Sequence, residues 1–352
     1  MLANKVRQRN SVFVITTTPE ELTEGLFGQI YLAVFEILPY LEENKIFPAW
    51  NVRSLKYGEP PDYTVIPGLL DLNYTPPNPA NLPERKLSDL RLEHVYNLGG
   101  DWNYVSNLWN KYFKFPARIY SRADSFGDLT GALALHYRGM DKNQDLVQTN
   151  PVPKEDYLAL ADDFLSQHPE IKKIFVATDE PAFLDQVKQK YSDYTIVQTG
   201  QATYWKDAEK EGNLRKGDHA VLDCILLSRC SYLIKCQSAL SGFAKVLNPK
   251  LNAYRVSANK LFYYDIPYFP DGYVDPYVPK SWKCKRILAR TFKDDWKQNA
   301  AAVAKYGKTF GSVPREEMMR KNIPAFPTIP PSLRDRVMGK ARRVAKKILL
   351  RG

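Results

Sequence analysis

Three short segments carry the residue types that could handle a phosphorylated ligand. Arg138 follows the apolar run Leu133-Ala134-Leu135-His136-Tyr137, with Asp141, Lys142 and Asp145 just beyond it. A guanidinium placed there can clamp a phosphate with two parallel N–H bonds. Fixed positive charge beside a departing diphosphate also lowers a group-transfer barrier without a metal. The second segment, Gln237-Ser238-Ala239-Leu240-Ser241-Gly242, follows the run Tyr232–Cys236 and opens a helix. First-turn N–H groups and the helix dipole favour an anion, and the Ser238 hydroxyl adds a donor. The third, Thr178-Asp179-Glu180-Pro181, ends the run Lys173–Thr178. Asp223 and His136 complete the polar set.

Each of these has a plainer structural reading. An Arg beside an Asp is often a surface ion pair worth little. Thr or Asp before a proline commonly starts a helix. Asp223, near the start of its own helix, would complement the helix dipole. A lone histidine within a strand is more often packed than chemical. The chemical reading gains from placement, because all three segments follow strands and fall at the same edge of one sheet.

The elements that must position them are legible from periodicity. Apolar runs at 133–137, 173–178, 195–197 and 232–236 read as strands. Helical patterns at 154–167, 182–191, 220–228 and 240–247 alternate with them. That alternation predicts a doubly wound, mostly parallel sheet, whose ligands bind beyond the carboxyl ends of the strands. Earlier, Val12–Thr16 reads as a strand, followed by a glycine turn through Gly25 and Gly28. A helix with Ile30, Ala33, Val34, Ile37, Leu38 and Leu41 on one face comes next, kinked or ended by Pro39, then a short strand Ile46-Phe47. Seven prolines between 60 and 83 predict a long connection with little regular structure. Trp102 and Trp109 suit a core as well as a ligand wall.

At 352 residues, with 44% hydrophobic and 25% charged residues, the composition fits a globular protein of two domains. The apolar run near the N-terminus is too short for a signal peptide, and no stretch approaches a membrane span, so a cytoplasmic location is expected. Cys224, Cys230, Cys236 and Cys284 match no metal or redox spacing and are expected to be buried thiols. The net charge is +11, but the segment 332–352 holds eight Lys or Arg against one Asp. The rest carries only a small excess, and without a recognised motif a nucleic-acid partner is not expected.

With those residues in view, the chain resembles the fucosyltransferases that include nodulation and core α-1,6-fucosyltransferases and protein O-fucosyltransferases. His136-Tyr137-Arg138-Gly139-Met140-Asp141-Lys142 is similar to that family's H-x-R-R-T-D-K motif. Ile174–Pro181 resembles its V-x-x-A-T-D-D-P strand end, and Asp223–Ile234 its D-x-x-x-L-S-x-x-D-x-x-V segment. Gly25-Leu26-Phe27-Gly28-Gln29 resembles its N-terminal glycine turn. The likeness spans roughly residues 20–250, with gaps, in the family's order.

The resemblance implies a GT-B-like α/β fold, with two Rossmann-like domains facing a cleft and mostly parallel sheets. The expected divisions are an acceptor-side domain at 1–129, a GDP-sugar-binding domain at 130–290 and a C-terminal extension at 291–352. It implies inverting, metal-independent transfer of fucose from GDP-fucose, a donor substrate rather than a cofactor, to a glycan hydroxyl; transfer from another GDP-sugar, or mere nucleotide or glycan binding, are the alternatives. Arg138 would hold the β-phosphate, His136 and Asp223 the guanine, and Ser238 with the backbone near Ala239 the phosphates. Gly28 and Gln29 would approach from the N-terminal domain, with Lys142 and Asp179 also at the donor. Asp145, or Asp141, is the candidate proton acceptor. Gly139 replaces the family's second arginine, Ala239 a second serine, and Gln29 the asparagine of O-fucosyltransferases, which leaves linkage and acceptor open. Aromatics from Phe262 to Trp282 would stack on sugar rings or pin an irregular segment. Residues 332–352 form a basic amphipathic pattern that would either touch an anionic membrane surface or pack on the body.

Overall fold

The computed structural model describes residues 12–19, 26–32, 37–87, 90, 101–139, 152–200, 213–256, 262–263, 266–267 and 274–291. The first half runs β1 (Val14–Thr16), α1 (Leu26–Leu32), α2 (Leu38–Glu43), β2 (Ala49–Arg53), β3 (Thr64–Ile66), β4 (Asp71–Leu72) and β5 (Glu84–Lys86). It continues with α3 (Trp102–Tyr112), β6 (Phe113–Lys114) and α4 (Ala117–Asp124). The second half alternates β7 (Leu133–Tyr137), α5 (Lys154–Leu165), β8 (Lys173–Thr178), α6 (Pro181–Lys190) and β9 (Thr195–Val197). Then come α7 (Asn213–Arg229), β10 (Tyr232–Lys235), α8 (Ala239–Leu247), β11 (Asn252–Arg255), β12 (Phe262–Tyr263), β13 (Ile266–Pro267) and β14 (Asp275–Pro276). A last helical stretch covers 282–291.

The larger sheet has six strands in the order β14-β11-β10-β7-β8-β9, all parallel. Counted by appearance, this is the 3-2-1-4-5-6 order of a doubly wound dinucleotide-type sheet, and the order reverses between β7 and β10. Such a sheet has both faces covered, so its strands read as unbroken apolar runs: all five residues of β7 are buried. Alternation sends Ala134, Phe175, Ala177 and Leu233 into one core and Leu133, Leu135, Ile174, Val176 and Ile234 into the other.

The first of these cores crosses between the halves. α7 and α8 cover that face, and the aromatics of the first half pack directly on them. The Phe243 ring lies 4.9 Å from Trp109 and 5.6 Å from Phe27, centroid to centroid, with Phe115 at 6.3 Å. Trp109 is therefore a core residue. The opposite face is covered by α5, α6 and the 282–291 helix through Tyr157, Phe164, Phe183, Ile287 and Leu288. Asp163 fastens that last helix: it accepts hydrogen bonds from Tyr277 Oη at 2.7 Å and from the Lys280 and Ser281 amides at 2.8 and 2.7 Å.

The smaller sheet has the order β3-β2-β1-β5, with β1 parallel to β2 and β5, and β3 antiparallel to β2. The expected α/β architecture with mostly parallel sheets is what the structure shows. Three local expectations differ from the structure, and one is only partly described. The strand anticipated at Ile46-Phe47 lies at Ala49–Arg53, because the Ile46 amide closes the end of α2 on the Leu41 carbonyl at 2.8 Å. The proline-rich stretch holds three short strands, β3, β4 and β5, with the Pro60–Pro61 and Ile66–Pro67 bonds cis. The helical pattern from Ile30 to Leu41 is met at both ends by α1 and α2, with residues 33–36 outside the described residues and Pro39 in the first turn of α2, where a missing N–H costs nothing. The helix expected at 220–228 begins at Asn213, which places Asp223 in its middle rather than near its start. All four cysteines are buried and free. Among the described residues, no helix is long and apolar enough to cross a membrane.

Candidate functional site

Where strand order reverses, the helices following β7 and β10 leave in opposite directions and open a crevice at the carboxyl edge. An open cleft lies there. Its wall includes His136 and Arg138 at the end of β7, Thr178 and Asp179 at the end of β8, and Ser238, Ala239 and Leu240 after β10. Asp223, Ala220 and Lys216 of α7 add another side, and Leu26, Phe27, Gly28 and Tyr57 come from the first half.

The strand ends are tied together before any ligand arrives. Asp179 Oδ1 accepts the Gly139 amide at 3.0 Å, and its other oxygen lies 4.0 Å from Arg138 Nε. Thr178 Oγ1 accepts the Glu180 amide at 3.1 Å, and Pro181 takes the first helical position of α6. So Asp179 serves the structural role of joining β7 to β8 as well as facing the cavity. Arg138 keeps 34% of its side chain exposed, leaving it accessible from the cleft.

Gly139 has a steric reason. A Cβ there would collide with the Glu180 carboxylate, which is ion-paired to Lys154 at the start of α5. A side chain at 139 would have to displace that carboxylate, and among the described residues this edge of the cleft presents one guanidinium, that of Arg138.

His136 is 6% exposed, and its Nδ1 is buried without a hydrogen-bond partner. Burial, then the positive charges of Lys235 and Arg138, push its pKa down to about 3, so the ring is neutral at physiological pH. A buried ring nitrogen left open on a cavity wall is costly unless a ligand or water satisfies it. Asp223, 4% exposed, accepts Thr199 Oγ1 at 2.9 Å. Ser238 takes the N-cap position of α8 with extended backbone, yet its side chain does not cap the helix.

Of the residues singled out from sequence, Gly28, His136, Arg138, Asp179, Asp223, Ser238 and Ala239 border this one cavity. Gly28 lies in the first turn of α1, not in a turn preceding it. Lys142 and Asp145, with Asp141, lie outside the described residues, as do the side chain of Gln29, most of the aromatic segment from 257 to 273 and the basic segment 332–352. Among the described residues, no group of three or more His, Cys, Asp or Glu could hold a metal ion.

Lys216, Ala220 and Tyr57 were not anticipated. Lys216 and Ala220 precede Asp223 by seven and three residues and so share its helical face. That signal depends on knowing that α7 starts at Asn213. The polar run 213–219 is helical because the other half holds it. The Leu214 amide donates to Glu59 Oε1 at 2.6 Å, and Asn213 Nδ2 donates to the Leu55 and Gly58 carbonyls at 2.7 and 3.0 Å. Arg118 of α4 grips Asp218 with two bonds, 3.1 and 2.7 Å.

No protein-family model and no curated protein matches the chain. Similar solved structures do exist. The selenomethionine form of fucosyltransferase NodZ from Bradyrhizobium matches with a TM-score of 0.32 and 21% identity over 42% of this chain and 47% of that one, so the chain spans about half of that structure's length. NodZ α-1,6-fucosyltransferase soaked with GDP-fucose matches with a TM-score of 0.45 and 17% identity, over 68% of this chain and 93% of that one. The apo form of POFUT1 matches with a TM-score of 0.36 and 13% identity, over 71% and 76%. Scores and identities this low assign no residue and no activity here; the chain is structurally similar to these fucosyltransferases, at low sequence identity.

Proposed function

We propose that this chain is a glycosyltransferase of the hexosyltransferase class that moves fucose from GDP-fucose to a glycan hydroxyl, with inversion and without a metal. The observation that supports this most is the convergence of the motif-bearing strand ends, with Arg138, His136 and Ser238, on one crevice at the point where strand order reverses.

In this reading Arg138 faces the β-phosphate, where charge grows as the bond between the sugar's C1 and the phosphate oxygen breaks. Ser238 and the backbone of Ala239 hold phosphate from the first turn of α8. Neutral His136 and Asp223 recognise the guanine, a base with both donor and acceptor edges. Gly28, lacking a side chain, lets the first half approach the donor. The acceptor oxygen forms the new bond to C1 from the opposite side, its proton passes to a carboxylate such as Asp145, and GDP leaves. Division at 1–129, 130–290 and 291–352, action at the cytoplasmic side and membrane contact through 332–352 belong to the same proposal.

A thermal-shift panel tests the donor class. GDP and GDP-fucose are expected to raise Tm selectively, and a preference for UDP compounds would overturn the reading. Transfer or hydrolysis of GDP-fucose then separates an enzyme from a nucleotide-binding protein of this fold.

A further inference from the structure

The helix at 282–291 has an outer face that the packing of the fold does not use. Its inner face, with Cys284, Ile287 and Leu288, is buried in the second core. On the outer side Trp282 is 67% exposed, and Val278, just before the helix, is 77% exposed. They are the two most exposed large hydrophobics among the described residues. Their neighbour Tyr277 is buried and bonded to Asp163, so the segment is pinned without them.

Cations surround this apolar pair. From Tyr277 to Thr291 the chain holds five Lys or Arg and no Asp or Glu. Arg290 is ion-paired with Asp156. Lys280, Lys283, Lys285 and Arg286 are exposed and pair with no acid among the described residues. Helical spacing sets Arg286 one turn beyond Trp282 on the same face, with Lys283 and Lys285 to either side. The nearby carboxylates of α5 are engaged elsewhere, Asp162 with Lys190 and Asp163 with Tyr277 and the 280–281 amides.

An exposed indole and a valine set among unpaired cations match the surface of an anionic bilayer. Trp settles at headgroup level, aliphatic groups enter the acyl boundary, and Lys and Arg meet the phosphates. A nucleic acid would leave Val278 unused, and one Trp offers a strand no run of stacking faces. The orientation suits docking. The last helix runs antiparallel to α5, with Asp163 at the 280–281 amides and Asp156 at Arg290. Lys154, at the start of α5, pairs with Glu180 beside the cleft, nine residues or about 14 Å along the helix from Asp163. A bilayer against Trp282 therefore leaves the cleft uncovered.

We infer that the turn and helix from Val278 to Arg286 form a docking surface for anionic lipid headgroups. Val278 and Trp282 enter the interface, and Lys280, Lys283, Lys285 and Arg286 meet the phosphates. This surface belongs to the body, is separate from the segment 332–352, and does not depend on the identity of the donor. The test is co-sedimentation of the full chain with vesicles of phosphatidylcholine alone or with about one third phosphatidylserine. Wild type is compared with two double variants, Val278→Ser with Trp282→Ser and Lys283→Glu with Arg286→Glu. Wild type should bind the anionic vesicles and not the neutral ones, and each double variant should weaken that binding about 10-fold or more. Because all four positions are exposed, Tm should stay close to wild type in both variants. No binding by wild type would overturn the inference. So would wild-type binding in both variants, which leaves 332–352 as the lipid contact. Loss in the charge variant alone would overturn it too, since a purely electrostatic patch fits a nucleic acid equally. A large fall in Tm for the serine variant would show that the chain itself covers the pair, with the same consequence.

Discussion

The two sheets differ in how they are made and in what they offer the cavity. The six-stranded sheet is all parallel, apolar on both faces, and delivers Arg138, His136, Asp179 and Ser238 from strand ends. The four-stranded sheet has short strands, one antiparallel and one composed of Glu84-Arg85-Lys86. Its half contributes walls rather than charged groups: Leu26, Phe27, Gly28 and Tyr57. A sheet with two buried faces stabilises its own strands and can hold polar groups rigidly at its edge. The smaller sheet depends on its neighbours, and in return its loop at 54–59 and helix α4 hold the start of α7.

The comparison breaks first at the core. Phe243→Ala removes a ring packed on Trp109, Phe27 and Phe115, and should cost about 3–5 kcal/mol, measured by denaturant unfolding. One cooperative transition is expected for both wild type and variant, because that core is shared. Two separated transitions would show that the halves are independent.

Next comes the chemistry of the larger sheet. Arg138→Ala should lower turnover about 100-fold or more while moving Tm little, since the side chain is partly exposed and its Asp179 contact is long. Retention of more than about a tenth of wild-type turnover would remove the charge-stabilising role.

The buried edge should also show itself in pH dependence. His136 is neutral when folded, with its pKa lowered from 6.5 to about 3 by burial and then by Lys235 and Arg138. The unfolded chain takes up that proton first as pH falls. Its contribution to stability is therefore complete above pH 6.5 and is lost progressively towards pH 3. His136→Gln should flatten this limb, measured as the difference between the two stability–pH curves. Parallel curves would show that His136 is not buried neutral.

The smallest effect is expected between the halves. Arg118→Met breaks a two-bond contact with Asp218 that is exposed on the arginine side, and should cost about 1 kcal/mol or less, diminishing with added salt. A larger loss of GDP affinity than of stability would mean that this contact positions α7 for the ligand.

Legibility followed the same division. Strand β8 was readable to the residue, from Lys173 to Thr178, because burial on both faces selects an unbroken apolar run between turn signals. β5 was not, since Glu84-Arg85-Lys86 carries no apolar pattern and is a strand only through its pairing with β1. Asp223 is legible, but its place in a helix starting at Asn213 is not, because Asn213, Gly217, Asp218 and His219 have weak helical preference.

By itself, the sequence determined the alternation of the second half, the order of its strands along the chain and the polar residues that follow them. Those are local properties, written in side-chain period and in turn chemistry. Tertiary structure alone decided which strand lies beside which and where their order reverses. It filled the space beside Gly139 with Glu180, and it packed the first half on α7 so that Lys216 faces the cavity. Such outcomes depend on atoms distant in the chain competing for the same volume, and no local pattern records that competition.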